Sequence, residues 1–187
     1  MLKRLLASRE ALLMGAIVVL LGLVATRFPS FITPSNLAGV FNDTSPLILL
    51  AIGQMIVILS KCIDLSVAAN LALTGMVVSM INVAAPGMPI AVIIIVAISL
   101  GTLMGMFNGL LVWKLDIPPI VVTLGTMTIF RGIIFLISDG KWVNSHEMTA
   151  AFKAFPRAEF LGMSMMSWTA VLAVIIFTVV MTRTTIG

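Results

Sequence analysis

The chain has 187 residues, of which 60% are hydrophobic and only 10% charged, and its mean hydropathy is +1.21. A soluble domain cannot hide so much apolar surface, because its outer shell must be polar, whereas lipid tails also solvate apolar side chains from outside. The net charge of +4 is typical of a positive-inside membrane protein, and nucleic acid need not be invoked as a partner. With one cysteine and one histidine, the chain forms no intrachain disulfide, and we predict no metal site or cofactor.

Long apolar runs fill most of the sequence, and charged residues stand between them. The runs are continuous rather than alternating, which indicates membrane-spanning helices rather than barrel strands. A helix needs about 20 apolar residues to cross the hydrocarbon core. We therefore predict an all-α fold, a polytopic transmembrane helical bundle with about six spans. The predicted spans are Ala11–Thr26, Ser45–Ser60, Leu65–Asn82, Met88–Val112, Ile120–Ile137 and Gly162–Met181.

The basic residues beside the spans predict the orientation, because cytoplasmic loops carry an excess of Lys and Arg. Threading six spans from a cytoplasmic N-terminus leaves six basic residues inside and four outside. The inside residues are Lys3, Arg4, Arg9, Lys61, Lys114 and Arg183, and the outside ones are Arg27, Lys141, Lys153 and Arg157. The first span also imitates a secretory signal, but the spans that follow it favour an uncleaved anchor.

The segment Leu59–Val67 interrupts the apolar pattern with a lysine, an aspartate and two serines. One interpretation is a broken helix whose polar junction lies below the membrane surface and faces a water-filled pathway. This interpretation also draws on the shortness of Pro46–Ser60, roughly 22 Å of helix. The other is a tight cytoplasmic turn in which Asp64 is the N-cap of the third span and Lys61 meets lipid headgroups. Spacing alone does not separate the two.

The fourth span carries a stripe of small residues on one helix face, and Asn108 lies beside it. Small residues four apart let helix backbones approach closely in a membrane, so the stripe predicts helix packing. The stripe consists of Ala97, Gly101, Gly105 and Gly109.

The fifth span concentrates polar residues after Pro118 and Pro119, which suit a helix start. Thr123 and its neighbouring threonines can simply bond back to the preceding turn. Arg131 is a costly charge within a span, where it is either paired or hydrated, or extends toward the outer surface. The following segment, Ser138–Leu161, is expected to be an external loop.

Two sequence blocks resemble the permease subunits of bacterial ABC importers for ribose-type sugars. The first is Ala51-Ile52-Gly53-Gln54-Met55 followed by Ile63-Asp64-Leu65-Ser66-Val67, and the second is Ile117–Thr126 followed by Arg131-Gly132. The resemblance runs along essentially the whole chain. Lys61-Cys62 and Ala68-Ala69-Asn70 replace family glycines, a variant most similar to the rhamnose-type branch. Family members continue beyond Thr185-Ile186-Gly187, so the resemblance implies a C-terminally truncated permease, the N-terminal part of a transmembrane domain.

The resemblance implies a permease subunit in a bacterial inner membrane that forms the translocation pathway of an ATP-driven importer for rhamnose or a related monosaccharide. The implied partners are a second permease copy or paralogue, a cytoplasmic ATPase subunit, a periplasmic or extracellular sugar-binding protein and membrane lipid. The chain has no nucleotide-binding loop and no catalytic triad or zinc-protease motif, so ATP hydrolysis would take place on the partner.

Residues expected to line the pathway or its gate are Asp64, Ser66, Asn70, Asn108, Thr123 and Arg131. Two other classes of function stay open. A proton-coupled secondary transporter would use Asp64 as its proton carrier, and a membrane scaffold would pack through the glycine stripe without transporting anything.

Overall fold

Residues 9–183 are described by the structure, a computed structural model. Lys3, Arg4 and residues 184–187, which entered the predictions of orientation and truncation, lie outside that range. Seven α-helices, two short 3-10 turns and one two-stranded hairpin follow each other along the described residues. They are α1 (Arg9–Arg27), a 3-10 turn (Pro29–Ile32), α2 (Pro34–Leu59), α3 (Val67–Ala84), α4 (Ile90–Leu115), α5 (Pro119–Ser138), α6 (Ala150–Ala154), a 3-10 turn (Phe155–Arg157), β1 (Glu159–Phe160), β2 (Met163–Ser164) and α7 (Met165–Arg183).

Five of these helices are long and apolar enough to cross a bilayer, which confirms the predicted class of polytopic helical membrane protein. They are α2, α3, α4, α5 and α7. The first predicted span corresponds to a shorter apolar helix, Ala11–Arg27. Large hydrophobic side chains point outward on all of these helices, as expected where lipid replaces a polar outer shell.

The chain divides by its contacts into two units, Met1–Ser45 and Pro46–Gly187. Within the first unit, α1 packs on the 3-10 turn that follows it. Within the second unit, α3, α4 and α5 pack pairwise against each other. Their shared core is formed by Ala69, Leu73, Met104 and Phe130, all buried. This three-helix packing positions the polar residues described below.

Helix α2 begins at Pro34, eleven residues before the predicted start at Ser45. It has 26 residues, about 39 Å of helix, so the predicted short span was wrong and does not support a broken helix. Thr44 and Ser45, at the predicted start of the span, donate hydrogen bonds to carbonyls one turn back along the helix. Their hydroxyl groups are thus satisfied inside the helix, and the chain stays helical through Pro46.

The segment that follows α5 ends in a tight hairpin before the last helix. Leu161 and Gly162 have φ values of 51° and 78°, which is the two-residue turn that matches the twist of antiparallel strands. The turn and its strands occupy the start of the predicted sixth span, so the helix begins at Met165 rather than at Gly162.

This segment is held to the end of α3 by a pair of hydrogen bonds. The Asn82 side chain, 2% exposed, donates to Thr149 Oγ1 at 3.0 Å and accepts from the Thr149 backbone N–H at 2.9 Å. Thr149 Oγ1 also accepts from the N–H of Phe152 and caps α6. One buried amide therefore anchors the segment to the three-helix core.

Thr149→Val should destabilise the protein, because it keeps the shape of the side chain and removes the hydroxyl that accepts from Asn82. Leaving a buried donor unpaired costs roughly 1–3 kcal/mol. Thr149→Ser keeps the hydroxyl and is the matched control. Thermal unfolding in detergent should rank Val clearly below Ser, and equal unfolding temperatures would contradict the proposed anchor.

The orientation of the bundle stays a prediction with a direct test. In a Cys62→Ser background, a cysteine at His146 should react with a membrane-impermeant thiol reagent from outside. A cysteine at Asp116, between α4 and α5, should react only after the membrane is opened. The reverse pattern would place the N-terminus outside.

Candidate functional site

The chain between α2 and α3 leaves the helix through a turn that has no glycine. Lys61 has a φ of 58°, the left-handed conformation that glycine adopts most readily. The N–H of Cys62 bonds to the carbonyl of Val57, and the N–H of Lys61 bonds to that of Ile58. These two bonds form a Schellman motif, which satisfies carbonyls at the end of α2. A lysine thus makes this turn, at a position where the resemblance leads one to expect glycine. Its left-handed backbone conformation is strained, because a residue with a side chain adopts it less readily than glycine does.

A chain of hydrogen bonds runs from Asp64 across to α4. Asp64 Oδ1 accepts from the backbone N–H and from the hydroxyl of Ser66, each at 2.7 Å. The Ser66 hydroxyl in turn accepts from Asn108 Nδ2 at 2.8 Å. Ser66 and Asn108 are buried, at 0% and 5% exposure. Because the Ser66 proton goes to the carboxylate, its lone pair faces Asn108 and fixes the orientation of that amide.

The same segment is tied to α2 and α5 through its backbone. Gln54 Nε2 donates to the Asp64 carbonyl at 3.2 Å, and Thr123 Oγ1 lies 3.3 Å from the Ile63 carbonyl. Thr123 Oγ1 is also 2.8 Å from the Pro119 carbonyl, one turn back in α5. The non-helical stretch is thus held by side chains from three helices, α2, α4 and α5.

Asp64 stands two residues before the helix N-cap, which is Ser66. Its carboxylate accepts the N–H two residues on, which is an Asx turn leading into α3. The prediction that Asp64 is the N-cap was therefore wrong, because Ser66 occupies that position and Asp64 orders the chain that leads into the helix. The same carboxylate lines a cavity.

The cavity has a volume of about 320 Å³ and opens beside this polar cluster. Five of the predicted pathway or packing residues line it: Asp64, Asn108, Thr123, Gly105 and Gly109. The remaining lining residues are Ile56, Val57, Ser60, Cys62, Ile63, Val112 and Pro119. A mostly apolar wall with a few convergent polar groups is the usual form of a small-molecule site.

Two buried side-chain oxygens of amides that bond to this polar cluster have no hydrogen-bond partner among residues 9–183. They are Asn108 Oδ1 and Gln54 Oε1. A buried acceptor without a partner costs roughly 1–3 kcal/mol, so such atoms are rare in native proteins and call for an explanation. Both amides donate through nitrogen to the cluster and leave their oxygen as spare acceptor capacity.

Asn70 lies one turn further along α3 and contacts the glycine stripe rather than the cavity. Its Nδ2 donates to the Gly101 carbonyl at 3.3 Å, and a Cβ added to Gly101 would lie 3.7 Å from its Oδ1. Gly101 therefore contacts a side chain of α3 at an ordinary van der Waals distance, and its role in close helix packing stays a prediction. Gly105 and Gly109 are exposed, with nothing within 4 Å of an added Cβ. For these two glycines, helix packing stays a prediction, and the helix that would pack against them would have to come from another protein segment.

Arg131 does not join the cluster. It lies eight residues after Thr123, about 12 Å along α5, and is exposed beside a second cavity with Lys141 and Trp142. Among the described residues, no carboxylate oxygen lies within 4.0 Å of its guanidinium. The structure thus separates Arg131 from the four predicted pathway residues of the cluster, Asp64, Ser66, Asn108 and Thr123.

Glu147, in the segment between α5 and α6, makes a local contact. Glu147 accepts a hydrogen bond from the Asn144 N–H at 2.5 Å, and this bond lowers the pKa of the Glu147 carboxyl group below its ordinary value. His146 contributes a smaller attraction in the same direction. Within residues 9–183, no three His, Cys, Asp or Glu side chains are grouped to hold a metal ion.

Sequence reasoning missed two polar residues of structural importance, Gln54 and Asn82. Each is an amide within an apolar stretch of its helix, and this was the signal that could have found them. Gln54 stood inside the first resemblance block but was not taken as a site residue. Asn82 was placed at the end of a span, where an amide is unremarkable.

Comparison with known proteins gives a family but no structural match. Residues 36–187 match the model of the permease component of branched-chain amino acid transport systems. Similar proteins are the autoinducer 2 import system permease proteins LsrC of Enterobacter sp. (strain 638), Salmonella typhi and Escherichia coli (strain K12 / DH10B), each 33% identical over the whole chain. The chain spans about half the length of these relatives, 53%, 53% and 54%. No solved structure matches.

The family model covers most of the chain, including every helix that contributes to the cavity. The model describes a transport component that works in a membrane, in agreement with the five long apolar helices. The chain therefore belongs to the family of branched-chain amino acid transport system permease components.

Proposed function

We propose that this chain is part of the transmembrane permease subunit of an ATP-driven importer, and that its solute passes the cavity beside Asp64, Ser66 and Asn108. The observation that carries the proposal is the polar, non-helical segment 60–66 bonded between membrane helices at the wall of that cavity. Backbone without helical hydrogen bonds is tolerated at membrane depth only where protein buries it or where it lines a cavity.

The positions of the contacts support a site below the membrane surface. Asn108 lies seven residues before the end of α4, and Thr123 lies four residues after the start of α5. At 1.5 Å per residue, the cluster is roughly 6–10 Å inside the ends of both helices. A turn at the membrane surface would instead bond to the helix ends. The depth favours the broken-helix interpretation over a surface turn, even though α2 is long.

The chemistry of the cavity favours a small solute with hydroxyl groups. The spare acceptor Asn108 Oδ1, together with the Asp64 carboxylate, can accept hydrogen bonds from hydroxyls, while the apolar wall packs against carbon. This pattern agrees with a sugar-type solute. Rhamnose is the candidate from sequence resemblance, and autoinducer 2 is the candidate from the names of the relatives.

The complete transporter would contain further subunits. We propose a second permease copy or paralogue, a cytoplasmic ATPase subunit and an external solute-binding protein, all in a bacterial inner membrane with the N-terminus of this chain inside. The described residues contain no ATP-binding loop, so the energy would come from the ATPase partner. The resident lipid around the apolar helices would complete the assembly.

Transport assays in cells that express the complete transporter would test the proposal. Uptake of labelled rhamnose and of autoinducer 2 should be compared in one strain, with and without the ATPase gene. Uptake of at least one solute should require the ATPase and survive collapse of the proton gradient. Uptake that survives deletion of the ATPase and fails with a protonophore would instead support the proton-coupled alternative, with Asp64 as the carrier.

A further inference from the structure

The second cavity, at the opposite end of α5 from Thr123, has no place in the proposed pathway. It has a volume of about 240 Å³ and lies between α3, α5 and the start of the external segment. Its floor is apolar, formed by Met76 and Ile134 among others, and its rim carries Arg131, Lys141 and Trp142. We infer that this cavity binds an anionic phospholipid, whose phosphate lies between Arg131 and Lys141.

Arg131 is the residue that most needs a partner here. It lies seven residues before the end of α5, about 10 Å along the helix from Ser138, so its Cα is within the hydrocarbon depth of a spanning helix. A charged side chain at that depth must reach polar groups at the interface or find a counter-charge. Residues 9–183 offer no carboxylate within 4.0 Å of it.

The neighbouring charges leave the cavity positive. Lys141 lies 3.9 Å from Asp139, but these side chains are 82% and 92% exposed, so solvent screens the pair. Glu147 lines the adjoining cavity, where its carboxylate already accepts from the Asn144 N–H. The Arg131 charge is therefore not offset, and a phosphate is the anion that the membrane supplies at the interface, which the long arginine side chain can reach.

The remaining walls fit the other parts of a phospholipid. Ile134, Met76 and Phe135 provide an apolar surface along which an acyl chain can pack. Trp142 is exposed at the rim, as tryptophans are where a protein meets lipid headgroups. Acidic phospholipid should therefore be preferred over a zwitterionic lipid with the same chains.

Fluorescence quenching by brominated lipids tests this inference without reference to transport. Replacing Trp113 and Trp168 with Phe leaves Trp142 as the only tryptophan. The protein is reconstituted in phosphatidylcholine with a small fraction of brominated phosphatidylglycerol or brominated phosphatidylcholine. Phosphatidylglycerol should quench Trp142 more strongly at equal fraction, and Arg131→Gln should lower its relative association about fivefold.

Arg131→Lys keeps the charge and should preserve the preference, and Lys114→Gln removes a charge from the far end of α4 and should not change it. Equal quenching of Trp142 by the two lipids in the protein that retains Arg131 would overturn the inference. This outcome can be observed without any substitution at position 131. Stronger quenching by phosphatidylglycerol than by phosphatidylcholine that persists unchanged in Arg131→Gln would also overturn the inference. If the two lipids quench equally and Arg131→Gln also abolishes self-association of the protein, the inference is overturned, because Arg131 then pairs with a carboxylate of a second copy.

Discussion

Asp64→Asn should abolish uptake while protein level and assembly stay normal. Asparagine keeps an oxygen that can accept from the Ser66 N–H and hydroxyl, so the entry of α3 and the contact with Asn108 can persist. What the substitution removes is the negative charge at the wall of the cavity. If that charge belongs to the pathway or its gate, transport is lost without loss of structure.

Asp116→Asn is the matched control for this experiment. Asp116 follows α4 in the left-handed conformation, which asparagine also adopts readily, and it does not line the cavity. Uptake by this variant should be normal.

Asp64→Ala should also unfold more easily, by about 1 kcal/mol or more, because it removes the acceptor at the entry of α3. Normal uptake by Asp64→Asn would reduce Asp64 to a structural residue.

Gly105→Leu should stop uptake by filling the cavity. Nothing lies within 4 Å of a Cβ built at Gly105, so the described residues do not resist a larger side chain there. Because Gly105 lines the cavity, the leucine would occupy the space proposed for the solute, and we expect uptake to fall by roughly tenfold or more. Protein level and unfolding temperature should stay close to those of the unchanged protein.

Gly125→Leu adds the same side chain on α5, at a glycine with open space that does not line the cavity. It should transport normally.

The small-residue stripe makes a competing prediction for Gly105→Leu, since a neighbouring helix from another subunit would be pushed away and assembly would fail. Sizing the purified complex separates the two. Loss of assembly supports the packing role, and normal uptake in a normal assembly contradicts both.

The polar residues of the site could be predicted individually from the sequence, but the contacts between them could not. Asp64, Ser66, Asn108 and Thr123 stand out in the sequence because each is polar within an apolar run. Their contacts join residues 42 and 60 positions apart, as between Ser66 and Asn108 or Ile63 and Thr123. Such contacts depend on how α3, α4 and α5 pack, which hydropathy does not encode.

The predicted bounds failed where local hydrogen bonding overrode composition. The second span was predicted to begin at Ser45, yet the hydroxyls of Thr44 and Ser45 bond back to the helix and α2 extends back to Pro34. Lys61 occupies a conformation for which glycine would be expected. Arg131 was grouped with the pathway because it is a charge in a span, but its position on α5 takes it to another cavity. Long apolar runs, in contrast, predicted the helical membrane class correctly because length and hydropathy suffice for it.

The most direct test of the proposed pathway uses Cys62, the one cysteine of this sequence. Cys62 is partly buried and lines the cavity together with Asp64 and Asn108. In the complete transporter, the rate of Cys62 modification by a small maleimide should fall when the transported solute is present. Complete modification should block uptake, and the Cys62→Ser variant should transport and be insensitive to the reagent. Full modification of Cys62 with undiminished uptake would contradict a pathway through this cavity.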